Sequence, residues 1–198
     1  MPKIVDKDEM RNNIMDAAMV VYAKVGFHVA TMEAVAKQAG LGKGTVYLYF
    51  KSKEALTLSI VDRIFSGMEQ SFISSQLSSN ADEFRSQLRN TMDISQDHAS
   101  FVRVFFEVFG PSFASKDFVE RVAGFFDRLG QHYAQQIEHL QDIGEFRPDI
   151  EPETTGRAIA AMIDGIILHR GLFSMPVKRH RELIDSSLNL LLTNCPEL

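Results

Sequence analysis

Residues 43–53 of this 198-residue chain read Lys-Gly-Thr-Val-Tyr-Leu-Tyr-Phe-Lys-Ser-Lys. Lysine and tyrosine can hold phosphate oxygens, while threonine, leucine and a bare glycine backbone suit close approach to base edges. Just upstream, Thr31-Met-Glu-Ala-Val-Ala-Lys-Gln-Ala-Gly-Leu-Gly reads as a short helix followed by a glycine turn. A short helix, a turn and a second short helix flanked by lysines can lay one helix in a DNA groove and grip the phosphates beside it.

A helical wheel at about 100° per residue sorts the second helix, 43–50, into roles. Val46 and Phe50 share the side that must face a core. Leu48 lies opposite, flanked by Gly44 and Thr45, and these three face the floor of a major groove. Tyr47 and Tyr49 fall on opposite shoulders, where phenol hydroxyls reach the two phosphate walls. Gly44 removes a side chain where backbone must come close to DNA. Lys43 and Lys53 each stand in the first turn of a predicted helix, where a cation opposes the helix dipole by about 0.3–1 kcal/mol. A bound phosphate reverses that sign. Thr31 is a good N-cap and is also placed to donate to phosphate. Each feature alone has an ordinary surface explanation. Their joint occurrence in eleven residues points to nucleic acid.

Charge is distributed in the same sense. Residues 1–53 hold 8 Lys+Arg against 5 Asp+Glu, and the remainder holds 13 against 21, which sums to the net −5 of the chain. The local field near the paired helices is therefore positive although the protein is acidic. The one cysteine, Cys195, permits no intramolecular disulfide, which suits a reducing cytoplasm. No apolar run reaches the ~18 residues of a membrane span, and no apolar signal core follows the first lysine. A cytoplasmic protein is expected, with no membrane partner.

The elements that must position the segment are helical throughout. Ile14, Ala17, Ala18, Val21, Tyr22 and Val25 recur at three- and four-residue steps, predicting a helix over 10–25. Gly26 ends it and Phe27 follows as a core plug. Further helices are predicted over 32–39, 43–50, 53–73 with Ser52 as cap, 81–97, 99–109, 115–141, 152–172 opened by Pro152, and 178–193. The expected fold is all-α with about nine helices. It divides into a three-helix N-terminal domain at 1–53 and a larger helical domain at 54–198.

The stretch from Thr31 through Lys53-Glu-Ala-Leu, with the preceding Ile14-Met-Asp-Ala-Ala and Gly26-Phe27, resembles the N-terminal domain of TetR-family transcriptional regulators over about residues 10–60. The resemblance implies that Thr31, Lys43, Gly44, Thr45, Tyr47, Tyr49 and Lys53 occupy the family's DNA-contact positions. Two residues depart from the pattern. Gly42 stands where serine is frequent, so a hydroxyl contact is lost. Leu48 stands where a polar or aromatic residue is frequent, which favours an apolar contact such as a thymine methyl.

For the larger domain the resemblance implies dimerisation and an enclosed effector pocket. The residues are compatible with both. Ala158, Ala161, Met162, Gly165, Ile166 and Leu168 mix small and large apolar groups on one predicted helix. Leu183, Ile184, Leu188, Leu191 and Leu192 form a stripe on the last. These two helices are the expected dimer interface, pairing with their mates as a four-helix bundle. Eight of the 15 phenylalanines fall in 101–126. Phe105, Phe106 and Phe109, with Phe118, Phe125 and Phe126, are placed to line a pocket between two helices, or simply to fill the core of a chain that has no tryptophan. Phe101 adds a further ring. Asp93, His98, Arg103, His132 and Asp164 are the polar candidates. The expected effector is a small hydrophobic molecule, and Arg103 would suit an acidic group on it.

Chemistry of other kinds finds no support in the sequence. His132 and His139 lie two turns apart, and no cysteine accompanies them as a zinc ligand. There is no phosphate-cradling glycine loop and no nucleophile elbow. No metal, cofactor or enzyme activity is expected. The functional reading is a DNA-binding regulator, a homodimeric repressor released from a pseudo-palindromic operator by its effector. The alternative is a helical dimer that binds small molecules or protein partners without reading DNA sequence.

Overall fold

The computed structural model describes residues 6–72 and 76–192. Cys195, Ser74 and Ser75 lie outside that range. Among the described residues there are nine α-helices and no β-strand: α1 Lys7–Val25, α2 Met32–Gln38, α3 Lys43–Tyr49, α4 Lys53–Phe72, α5 Ala81–Met92, α6 Gln96–Phe109, α7 Lys116–Asp142, α8 Pro152–Gly171 and α9 Val177–Leu192. Among the described residues one 3₁₀ helix, Gly110–Ala114, follows α6.

Local signals set most boundaries. Asp6 caps α1 by accepting from the Asp8 N–H at 2.9 Å, and Gly26 ends it at φ +81°. Thr31 caps α2 through a 3.1 Å bond to the Ala34 N–H, and Ser52 caps α4 through one to Ala55 at 3.1 Å. Glu151 and Pro152 open α8. The expected break between the helices over 81–97 and 99–109 falls earlier, at 93–95: Asp93 leaves helical geometry and Ser95 caps α6 by accepting from the His98 N–H at 3.2 Å. A local side-chain acceptor thus outweighed the apolar period.

The chain divides by contact into two units. The first comprises Met1–Ser66 with Val104–Val119, and the second Gly67–Arg103 with Glu120–Leu198. In the first, Ile14, Ala18, Val35, Val46, Leu56 and Ile60 are fully buried and bring α1–α4 onto one core. A ring cluster lies in its second segment. Phe105 stands 4.9 Å from Phe109 between ring centres, and Phe113 stands 4.9 Å from Phe118.

In the second unit α5, α8 and α9 pack on one another. Backbones approach closely at two points. A Cβ on Gly156 would lie 2.4 Å from the Gly130 carbonyl oxygen, and one on Gly171 would lie 2.6 Å from the Val102 side chain. Neither contact was foreseen from the residues alone. This packing also corrects part of the expected dimer interface. Ile166 and Leu188 are buried within the chain's own core, as is Ile184, because α8 and α9 turn those faces to α5 and to each other. Ala161 faces outward, Leu183 and Leu191 are half-buried, and Leu190 is the most exposed large apolar residue among those described.

Candidate nucleic-acid interface

The turn between α2 and α3 is short because Gly40 takes φ +69°, which lets the Leu41 N–H bond back to the Ala36 carbonyl oxygen at 2.9 Å. The chain then re-enters a helix at Gly42, whose extended backbone supplies a cap position without a side-chain acceptor. α3 is oriented by burial. Val46 is 0 % exposed and Phe50 is also buried, whereas Leu48 on the far side is 76 % exposed. Tyr47 is 38 % exposed and Tyr49 is half-buried. Gly44 is open, and a Cβ added there would meet nothing within 4 Å. Thr45 is half-buried beside it.

Charges around α3 are partly tied within the protein. Lys43 pairs with Glu33 at 3.5 Å, both side chains being well exposed. Thr31 keeps its hydroxyl hydrogen for another acceptor, since its oxygen is the acceptor in the α2 cap.

Lys53 departs from the expected phosphate contact. Its ammonium donates to the Phe27 carbonyl oxygen at 2.9 Å and to that of Ala30 at 3.1 Å, and lies 3.5 Å from that of His28. Three carbonyls left open between α1 and α2 attract a cation more strongly than solvent does, so the side chain turns inward. Phe27 is not the buried plug expected. It is half-buried, edge-on to Tyr22 at 5.5 Å and beneath the Lys53 charge.

Positioning residues absent from the sequence reading lie on α1. The Arg11 guanidinium donates to the Tyr49 carbonyl oxygen at 3.3 Å and to Ser59 Oγ at 3.4 Å, and stands 4.5 Å over the Phe50 ring. It fixes the C-terminal end of α3 against α1 and α4. Asn13 donates to the Ala39 carbonyl oxygen at 3.4 Å, holding the end of α2. Arg63 of α4 pairs with Asp16 of α1 at 2.6 Å. Arg11 and Asn13 flank the apolar stripe that begins at Ile14, and that flanking place was their only signal. Buried Tyr22 meets Thr57 at 3.4 Å, and burial pushes its phenol pKa up.

The expected effector-site residues fall in different surroundings. Phe105 and Phe109 belong to the ring cluster of the first unit, with Phe109 fully buried. Phe101, Arg103, Phe125 and Asp164 belong to the second unit. There Phe125 is buried against Phe126, Phe101 is exposed, and exposed Arg103 donates to Ser174 Oγ at 2.5 Å. Burial raises the Asp164 carboxyl and lowers the His132 imidazole. Tyr133, next to His132, is pushed up to about 12 by burial. Among the described residues no cluster of three His, Cys, Asp or Glu is arranged to hold a metal, and no helix is long and apolar enough to cross a membrane.

A buried-backed, outward-facing short helix behind a glycine turn, held on a three-helix core, defines a helix-turn-helix DNA-binding protein. The family comparison agrees. Residues 14–60 match the model of bacterial regulatory proteins of the tetR family, and residues 80–193 match that of the BetI-type transcriptional repressor C-terminal domain. The chain belongs to the TetR family of transcriptional regulators. It is 26% identical over 176 residues to the HTH-type transcriptional regulator YfiR of Bacillus subtilis, covering 84% of this chain and 83% of that protein. It is 26% identical over 167 residues to the HTH-type transcriptional regulator UidR of Escherichia coli, covering 79% of each. Salmonella enterica GusR shares the fold with a TM-score of 0.73 at 19% identity, over 96% of this chain and 99% of that one. The SmeT–triclosan complex does so at TM-score 0.71 and 18% identity, over 96% and 98%. YfiR and UidR are both HTH-type transcriptional regulators by name.

Proposed function

We propose that two copies of this chain form a repressor that binds a pseudo-palindromic operator and is released by a small, largely hydrophobic effector. The observation that carries the reading is Leu48, an aliphatic side chain 76 % exposed on a helix whose opposite face is fully buried. It lies between two tyrosines, where it can meet a thymine methyl while the phenols reach phosphates. Lys43, Thr31, Thr45 and the bare backbone at Gly44 complete the contact set. Lys53 serves by holding the α1–α2 loop. DNA binding resides within residues 1–53, and dimerisation and effector binding reside in 54–198.

Exposed Ala158 and Ala161 with half-buried Met162, Gly165 and Leu168 leave an apolar stripe on α8 open to a second copy. Leu183, Leu190 and Leu191 continue it on α9. The operator's two-fold symmetry follows from the dimer's, with recognition helices about 34–36 Å apart. The match to a repressor C-terminal domain supports the sign of regulation. The effector class is supported by the density of phenylalanine in 101–126 and by SmeT, which has been solved with triclosan. The effector acts by favouring a conformation with a different helix separation.

The test is selection of bound fragments from sheared genomic DNA of the source organism, with Tyr47→Ala in parallel. An inverted repeat enriched by the wild-type protein and lost in the variant is expected. Equal recovery by both proteins, with no enriched repeat, would overturn the reading and leave a helical dimer that does not read sequence.

A further inference from the structure

Arg170 is a buried cation held only by neutral acceptors. It is 6 % exposed near the end of α8. One terminal nitrogen donates to the Met175 carbonyl oxygen at 2.6 Å and the other to Gln96 Oε1 at 2.6 Å. Nε, also buried, has no hydrogen-bond partner. A guanidinium cannot discard its proton, and a buried charge without a counter-charge is costly.

The other group in question is His180 of α9, which is fully buried. Its Nε2 lies 2.9 Å from the Met92 carbonyl oxygen at the end of α5. A carbonyl only accepts, so Nε2 carries the hydrogen. Nδ1 has no partner. Among the described residues these two nitrogens are the only buried side-chain polar atoms left without one. The charged groups acting on the ring are Asp93 beyond α5, Arg170 on α8 and Arg181 on α9. Asp93 is already engaged, its carboxylate lying 3.0 Å from Arg181. The backbone has little slack to carry Arg170 toward solvent, because Gly171 abuts Val102.

We propose that Arg170 and His180 bind one small monovalent anion of halide size at the junction of α5, α6, α8 and α9. Arg170 Nε–H donates to it, and Nδ1 of His180, once protonated, donates the second bond. Each side chain offers one unpartnered nitrogen, which suits a spherical acceptor better than the paired oxygens of a carboxylate. Binding and proton uptake are reciprocal: the anion favours the imidazolium, and the imidazolium favours the anion. Water is the competing occupant when His180 is neutral, since it can accept from Nε–H and donate to Nδ1. The proposal is independent of DNA binding.

The test follows histidine ring resonances of the full chain between pH 5 and 8, at constant ionic strength, in sodium chloride and in sodium gluconate. The resonance missing from His180→Gln identifies His180. Chloride is expected to raise its titration midpoint, saturably, by at least about half a unit over gluconate. Bromide in a crystal of the wild-type protein should give an anomalous peak beside Arg170 Nε, a readout that needs no variant to fold. Identical midpoints in the two salts would overturn the proposal, leaving a water at the junction. So would a bromide crystal without that peak.

Discussion

The Lys53 ammonium donates to the Phe27 carbonyl oxygen at 2.9 Å and stands 4.5 Å over the centre of the same residue's ring. One side chain thus closes the α1–α2 loop by hydrogen bond and by cation–π contact. Hydrogen bonds to a charged group contribute roughly 1.5–3 kcal/mol each when well formed, less where solvent reaches them. Lys53→Met is therefore expected to lower the thermal midpoint measurably. The salt dependence of operator binding separates this role from phosphate contact. Lys43→Ala should reduce the slope of log K against log salt by about 1, whereas Lys53→Met should leave the slope unchanged.

Gly44 gives the clearest separation of fold from function. It sits inside α3, and a Cβ added there would have nothing within 4 Å, so no contact in the protein requires glycine. Gly44 is the second residue of α3; glycine costs about 1 kcal/mol relative to alanine in a helix interior and less in the first turn. Gly44→Ala should stabilise the protein against thermal or urea unfolding. It should weaken operator binding, because the methyl stands where the proposed complex brings backbone close to DNA. Unchanged affinity in a gel-shift titration would remove Gly44 from the contact set.

Glu33 holds Lys43 at 3.5 Å on an exposed surface, where such a pair stabilises by about 0–1 kcal/mol at most. Its larger effect is on DNA, since a carboxylate beside α3 repels phosphate and diverts the lysine. Glu33→Gln should tighten binding at low salt and leave the thermal midpoint nearly unchanged. The gain should shrink as salt screens it.

The helix-turn-helix was legible because its chemistry is local. Thr31, Gly40, Ser52 and the Val46/Phe50 face act within a few residues of sequence, and their spacing is enough to place them. Arg11 and Lys53 were not legible in their structural roles. Each reaches a backbone carbonyl far along the chain, and carbonyls leave no trace in sequence. The same limit explains Ile166 and Leu188. An apolar stripe marks a face as buried but does not say whether its partner is another helix of the same chain or a second copy. The close approaches at Gly156 and Gly171 depend on which helices cross there, and a glycine inside a helical pattern does not reveal its neighbour.

Two buried histidines fix an acid-side stability loss. Burial lowers both His132 and His180; at His180 Arg170 and Arg181 add to the lowering, while the Met92 hydrogen bond and Asp93 oppose it. The unfolded chain titrates these rings near 6.5, so below that pH it binds more protons than the folded state. The stability they contribute is complete above about 6.5 and is lost as pH falls toward their folded values. Asp164 has the opposite sign: its raised carboxyl takes up a proton in the folded state first, so it favours folding as pH falls toward the ordinary aspartate range. The thermal midpoint should be lower at pH 5.5 than at 7.5, and His132→Gln should reduce the difference. An equal drop in that variant would assign the loss to other groups.

The outward and inward faces of α8 give the last separation. Ala161 is exposed on the stripe proposed to meet a second copy, and Ile166, little more than one turn on, is buried in the chain's own core. Ala161→Arg adds a long charged side chain to the outer face, where the isolated protomer has room for it but a closely packed dimer does not. It should yield a folded monomer by light scattering after size exclusion, with the helical circular-dichroism signal retained. Ile166→Ala removes core volume and should cost roughly 2–5 kcal/mol of stability, while leaving the residual folded protein dimeric. A dimer that survives Ala161→Arg would move the interface away from this face of α8. Dissociation by Ile166→Ala without loss of stability would mean that the inner face contributes to the interface after all.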